Sequence, residues 1–264
     1  MNDNGSMKAT KANIIKRELK AASAAFHFLT IIPPIRQIPY SSEDIGKSIA
    51  YYPLIGFFIG ILLWAMKYLL GLITALPLIA ALLIALWISI SGALHIDGFL
   101  DTCDGIFGGT NPDERLAIMK DERVGAFGLV GGILLVLIKY SALISLDGLI
   151  DQTLLIAPLV SRWGMALVIV GFPYGRNAGL GSTIKQFADW KRVIIALFIT
   201  VSLVWFISGA NGIFIFTGVT LIIWLIAKYI IRKIPGLTGD SYGAINEIAE
   251  ALVLIGFTMV LKFV

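Results

Sequence analysis

Three aspartates, Asp97, Asp101 and Asp104, stand four and then three residues apart in the run His95-Ile96-Asp97-Gly98-Phe99-Leu100-Asp101-Thr102-Cys103-Asp104-Gly105. If the apolar segment before them continues as a helix, this spacing puts all three carboxylates on one face within two turns. Three like charges on one stripe repel, and acids at a helix C-terminus oppose the helix dipole. A divalent cation removes both costs, and carboxylate oxygens with open positions suit Mg²⁺ or Mn²⁺. A second acidic pair, Asp240 and Glu247, lies seven residues apart after Thr238-Gly239 and shares a helix face in the same way. Acidic faces entering from two helices can build a paired site, with ions about 3.5–4 Å apart clamping the attacking and leaving oxygens of an in-line displacement. Asp240 or Glu247 is then expected within about 10 Å of the three aspartates.

Seven acids and three bases stand between Asp97 and Arg123. The acids suit metal. The bases suit phosphate, which Arg grips as a planar fork. Asn111-Pro112-Asp113-Glu114 reads as the capped start of a short helix that delivers Lys120-Asp121-Glu122-Arg123. Asp121 joins the metal candidates, and Lys120 and Arg123 are candidates for substrate phosphate. A loop, Tyr174-Gly175-Arg176-Asn177-Ala178-Gly179-Leu180-Gly181, sets Arg176 among glycines that let backbone amides approach an anion. Arg162 lies ten residues before Phe172, roughly 15 Å from that end of its span. A charge near the membrane centre costs at least about 2.5–3.5 kcal/mol, so Arg162 needs a carboxylate or phosphate partner. Lys67 and Lys139 lie nearer the other boundary and are expected to snorkel. His95 is either a satisfied helix-end histidine or, two residues before Asp97, in reach of a ligand. Cys103 has no thiolate-stabilising partner and no assigned role.

The elements that position these residues follow from composition. Of 264 residues, 58% are hydrophobic and 14% charged, with a mean hydropathy of +0.87. A soluble domain is about a quarter charged, so lipid must be part of this chain's solvent. The expected architecture is an all-α polytopic bundle forming a single integral membrane domain over 1–264, with a leader at 1–48 and the bundle at 49–264. Seven spans fit, near 53–72, 76–96, 126–146, 153–172, 193–208, 212–231 and 248–264. Ahead of them Ile15, Leu19, Ala22, Phe26 and Leu29 repeat at helical spacing among Lys11, Lys16, Arg17 and Lys20. That stripe fits an amphipathic helix lying on the bilayer surface or packed on the protein's own face. Seventeen of the 21 Lys and Arg fall in the leader and alternate loops, and none in the three opposing loops. The positive-inside rule then puts the N-terminus and long loops in the cytoplasm and the C-terminus outside.

Phe28-Leu29-Thr30 before Pro33, Tyr52-Pro53-Leu54-Ile55-Gly56, the His95 to Gly105 segment, Lys120-Asp121 with Gly125 and Gly128, Arg162-Trp163, the Tyr174 to Gly181 loop and Thr238-Gly239-Asp240 with Gly243-Ala244 occur in that order. On these residues the chain resembles the cobalamin synthase (adenosylcobinamide-GDP ribazoletransferase) family over nearly its full length. Ser91 and Ala93 stand where the resemblance leads one to expect glycines, and Leu100 where a small residue is expected. The resemblance implies an Mg²⁺-dependent enzyme of a prokaryotic inner membrane. In it a ribose hydroxyl of α-ribazole or its 5′-phosphate attacks the activated phosphate of adenosylcobinamide-GDP, GMP leaves, and the nucleotide loop of the cobalamin closes. It casts Asp97, Asp101, Asp104 and Asp240 as catalytic, His95, Lys120, Arg123, Arg162 and Arg176 as substrate-binding, and Asp97, Asp101, Asp104, Asp121, Asp240 and Glu247 as metal ligands. The partners are small molecules and the bilayer, with no nucleic acid. Two rival readings remain. A membrane CDP-alcohol-type phosphotransferase would carry Ala-Arg after the second Asp-Gly, which this chain lacks. A cation transporter would place its acids at midplane in repeated, broken helices.

Overall fold

The computed structural model describes residues 3–33, 39–176 and 178–260, with side chains from residue 15 onward. Lys11's side chain, Asn177 and residues 261–264 of the expected last span lie outside the described residues. The helices are α1 (Asp3–Leu29), α2 (Ser42–Lys47), α3 (Tyr52–Leu70), α4 (Leu76–Ile90), α5 (Leu94–Gly108), α6 (Pro112–Ile118), α7 (Ala126–Ile144), α8 (Ile150–Gly171), α9 (Leu180–Phe187), α10 (Trp190–Ile231) and α11 (Gly239–Val260). An all-helical chain is what hydrocarbon demands, because a helix satisfies its backbone polar groups within one segment.

Five helical stretches are long and apolar enough to cross a bilayer, and α4 with α5 makes a sixth as a bent pair. The 42 residues of α10 would reach about 63 Å at 1.5 Å per residue, twice a bilayer core. Gly209 breaks it with φ 55 and ψ −139. A Cβ on Gly212 would lie 2.9 Å from Val204 Cγ1, whereas eight residues of straight helix separate two positions by about 12 Å. The chain therefore reverses at Gly209. Its legs, 190–208 and 210–231, are the expected fifth and sixth spans. The protein is a multi-pass membrane bundle.

At the centre, α8 is buried on almost every side, from Thr153 to Ile169. Helix α3 reaches it through two glycines. A Cβ on Gly56 would fall 2.0 Å from the Pro158 carbonyl oxygen, and one on Gly60 2.8 Å from that of Leu154. Dispersion between backbones this close takes the place of the hydrophobic drive that lipid does not supply.

Three expectations need correction, and one open alternative is decided. The second span does not run on through Asp97. It ends at Ile90, and α5 departs at 89° after Gly92 and Ala93, both at φ 60. The last span begins at Gly239 rather than 248, so Asp240, Glu247 and Glu250 all ride on α11. Of the two readings of the leader helix, packing on the protein's own face is the one met, through Ala21, Ala24, Ala25 and Leu29, although Ile15 and Leu19 of the expected stripe are exposed. Its buried face is set by small residues that permit close approach and not by the largest ones. Lys139 does not snorkel. It is 3% exposed and bonds Glu247 at 2.5 Å and Glu250 at 2.6 Å.

That lysine belongs to a buried network. Glu250, fully buried on α11, also accepts hydrogen bonds from Trp87 Nε1 of α4 at 3.0 Å, Ser161 Oγ of α8 at 3.3 Å and Asn246 Nδ2 at 3.2 Å. Arg162 of α8 pairs with the same carboxylate and so has its expected acidic partner. Two acids and two bases cancel, which is the condition on which a bilayer interior tolerates charge.

Ala93 yields a test. A non-glycine residue in the left-handed region costs about 1–2 kcal/mol, part of which glycine's greater unfolded-state entropy offsets. Ala93→Gly should raise stability by about 0.5–1 kcal/mol, read as a higher midpoint in thermal unfolding of the detergent-solubilised protein. An unchanged or lower midpoint would show that the turn carries no strain.

Candidate functional site at the crossing of two acidic helices

Helices α5 and α11 meet through reciprocal glycines. A Cβ on Gly98 would stand 2.9 Å from Asp240 Cα, and one on Gly243 3.1 Å from His95 Cα. Only hydrogen fits at either position, and the close crossing brings the acids of one helix onto those of the other. Asp101 lies in the fields of Asp97, Asp240 and Asp104, in that order of strength, with Arg176 as the opposing charge.

A second pair of glycines brings Arg176 there. Gly175 N donates to Leu237 O at 2.8 Å, and Leu237 N to Pro173 O at 2.9 Å. These bonds clip the α8–α9 loop to the α10–α11 connection. A Cβ on Gly175 would lie 2.3 Å from Gly236 O, and one on Gly236 2.6 Å from the Tyr174 carbonyl carbon. With the strands of backbone joined, Arg176 Nη2 reaches Asp240 Oδ2 at 2.6 Å and Met119 O at 3.3 Å. Thr238 Oγ1 donates to the same Asp240 oxygen at 3.3 Å. The Asp240–Arg176 pair remains about one-fifth exposed on each side, open to an incoming group.

Beside this pair lies a cavity of about 250 Å³ with His95, Asp97, Tyr174, Arg176, Asp240 and Tyr242 in its wall. The amphipathic α9 forms one side, with Ile184 buried and Lys185 Nζ donating to Val170 O at 2.8 Å. Burial holds the Tyr174 phenol above its ordinary pKa, so it stays neutral and able to donate.

The structure thus gathers Asp97, Asp101, Asp240 and Arg176. Asp104 turns away toward α7, accepting from Gly125 N at 2.7 Å and Gly128 N at 2.8 Å. It caps the first turn of α7, where a carboxylate also meets the positive end of the helix dipole. Glu247 is buried and paired with Lys139. Arg162 is 1% exposed and committed to Glu250. Asp121 and Arg123 form an exposed fork, with Nε–Oδ1 at 2.9 Å and Nη2–Oδ2 at 2.7 Å. That bonding pulls the Asp121 carboxyl down to about 2. Lys120 is exposed on the same loop.

Among the described residues no three of His, Cys, Asp and Glu already form a metal cage. Mg²⁺ does not require one. It keeps several waters and binds through one or two carboxylates plus substrate phosphate oxygens. The all-oxygen donor set of Asp97, Asp101 and Asp240, crowded and opposed by a single guanidinium, fits that mode.

Residues 21–258 match the model of the cobalamin-5-phosphate synthase family. Among relatives, the Geotalea daltonii protein named adenosylcobinamide-GDP ribazoletransferase is 38% identical over 241 residues, covering 90% of this chain and 96% of its own. Proteins of the same name from Desulforamulus reducens and Pseudomonas putida are 35% and 36% identical, covering 87% and 89% of this chain and 92% and 97% of theirs. No solved structure matches. The chain belongs to the cobalamin-5-phosphate synthase family and is a transferase of cobalamin biosynthesis.

Asp104, which caps α7, and Asp101, which has like charges around it, should differ in what they contribute to stability. Asp104→Asn presents an amide to two backbone donors and should cost about 1–3 kcal/mol, seen as a lower unfolding midpoint. Asp101→Asn removes a repelled charge and should leave the midpoint unchanged or higher. Equal losses in both variants would count against this difference.

Proposed function

We propose that the protein joins adenosylcobinamide-GDP to α-ribazole or its 5′-phosphate, releasing GMP and closing the nucleotide loop of the cobalamin. The observation that carries this reading is the convergence of Asp97, Asp240 and Arg176 in the wall of one cavity, with Asp101 in the fields of all three. Acids alone would suit a cation, and bases alone an anion. Both together suit a diphosphate that needs a divalent cation. The names of the relatives supply the substrates.

In the reaction a ribose hydroxyl oxygen forms a bond to the phosphorus on the cobinamide side. The bridging P–O bond breaks, its electron pair leaves with GMP, and the hydroxyl proton is released. Little covalent chemistry falls to the protein, so positioning and charge neutralisation carry the rate. Arg176, held by Asp240 and the Met119 carbonyl, offers its remaining donors to the diphosphate. Asp97, Asp101 and Asp240 would hold Mg²⁺, which when bound neutralises the developing charge on the phosphate oxygens. Lys120, exposed on the adjoining loop, is placed for the nucleotide phosphate. The aspartate end of the bundle faces the cytoplasm in this reading, where the charged substrates are, in keeping with the distribution of Lys and Arg.

The test is Mg²⁺-dependent release of GMP by the purified protein supplied with both substrates. Asp101→Asn should lower turnover at least about 10²-fold. Arg176→Lys keeps the charge but loses the fork, and should raise KM for adenosylcobinamide-GDP more than for α-ribazole. GMP release that ignores the corrinoid, or near-normal turnover of Asp101→Asn at low Mg²⁺, would sink the proposal.

A further inference from the structure

The cavity has two unlike halves. Asp97, Arg176 and Asp240 occupy the outer one. The inner one is walled by Phe28, Met165, Ile169 and Ile184 and ends on two buried polar groups. His95 is 2% exposed and Tyr242 3% exposed. Neither His95 Nε2 nor the Tyr242 hydroxyl has a hydrogen-bond partner among the described residues. An unpaired buried polar group costs about 1–3 kcal/mol, and two such groups beside one cavity mark a place where a ligand supplies the missing bonds. The walls are aromatic as well as apolar. The rings of Tyr174 and Tyr242 lie 6.3 Å apart and inclined by 33°, and Phe28 lies 6.0 Å from Tyr52.

We infer that the inner half is the acceptor subsite, and that it takes the flat benzimidazole base of α-ribazole. The ribose then projects toward Asp97 and Asp240. This rests on the transferase reading above and assigns one of its two substrates to one half of the cavity. Size selects between them. At about 250 Å³ the cavity is smaller than the roughly 300–1,000 Å³ that encloses drug-sized ligands, so a nucleoside fits and a corrin ring does not. Polarity selects between the two bases. Guanine carries donors and acceptors along most of its edge, which apolar walls would leave unpaired at high cost. Dimethylbenzimidazole has one free ring nitrogen, an acceptor for the Tyr242 hydroxyl, and two methyl groups suited to Met165 and Ile169, while a ribose hydroxyl of the nucleoside can meet His95 Nε2.

The test is equilibrium binding of α-ribazole, dimethylbenzimidazole and GMP to the purified protein without the corrinoid, together with steady-state kinetics. Tyr242→Phe keeps the ring and its packing and removes only the hydroxyl. It should weaken α-ribazole binding and raise its KM roughly tenfold, leaving KM for adenosylcobinamide-GDP unchanged. Met165→Trp should fill the subsite and abolish binding of α-ribazole and of the free base. GMP should not displace either. Displacement by GMP, or wild-type affinity for α-ribazole in both variants, would overturn the assignment. A wild-type protein that binds α-ribazole and releases no GMP would instead defeat the transferase reading and leave the base subsite standing.

Discussion

A carboxylate with no exposure in an apolar bundle must be matched, and Glu250 is matched by side chains from four helices. Lys139 of α7, Arg162 of α8 and Trp87 of α4 all converge on it from outside its own helix. Removing one partner of a buried pair costs about 3–5 kcal/mol, so the network fixes how these helices sit. Trp87 stands three residues before the end of α4, which brings the close of that helix to the depth of Glu250 on α11. From there the chain turns through Gly92 and Ala93 and sends α5 across α11 about two to three helical turns before Glu250. The crossing of α5 and α11 is thus held by charges that lie outside the wall of the cavity beside it.

The crossing then sets the chemistry. Gly98 and Gly243 let two helix backbones meet, and the consequence is that Asp97 and Asp240 line one cavity with Asp101 in their fields. Gly175 and Gly236 do the same for two loops, and the consequence is Arg176 on Asp240. Four hydrogens in place of side chains bring acid and base together at the mouth of a cavity. Acids packed this way repel one another, a cost that the proposed cation and phosphate would relieve together.

Much of this was legible in the sequence. The apolar runs marked the spans, the turn at Gly209 lay between two of them, and the acidic spacing pointed to α5 and α11. The break at Ala93 was hidden because Gly92-Ala93 sits in an otherwise helical run and the strain belongs to the backbone. Asp104 has the same spacing as its neighbours, and its diversion to Gly125 and Gly128 depends on where a helix that begins 22 residues later is packed. Arg162 announced its need for an acid. Its partner, Glu250, was missed, although a span containing Glu247 and Glu250 beside spans containing Lys139 and Arg162 held the signal in its charge balance. The Gly175–Gly236 contact joins loops 61 residues apart, and a single sequence carries no trace of that pairing. Tyr242 was likewise unmarked, since an aromatic on a membrane helix is ordinarily packing.

That Asp97, Asp101 and Asp240 form one cation-binding site can be examined without turnover. Mn²⁺, a paramagnetic stand-in for Mg²⁺ with the same preference for oxygen, can be titrated into the purified protein and its bound signal followed by electron paramagnetic resonance. Saturable binding is expected in the wild type, lost in Asp101→Asn and in Asp240→Asn, and kept in Asp113→Asn, which changes an exposed acid on α6. Binding that survives both site substitutions, or that falls equally in all three variants, would contradict a metal site at the α5–α11 crossing.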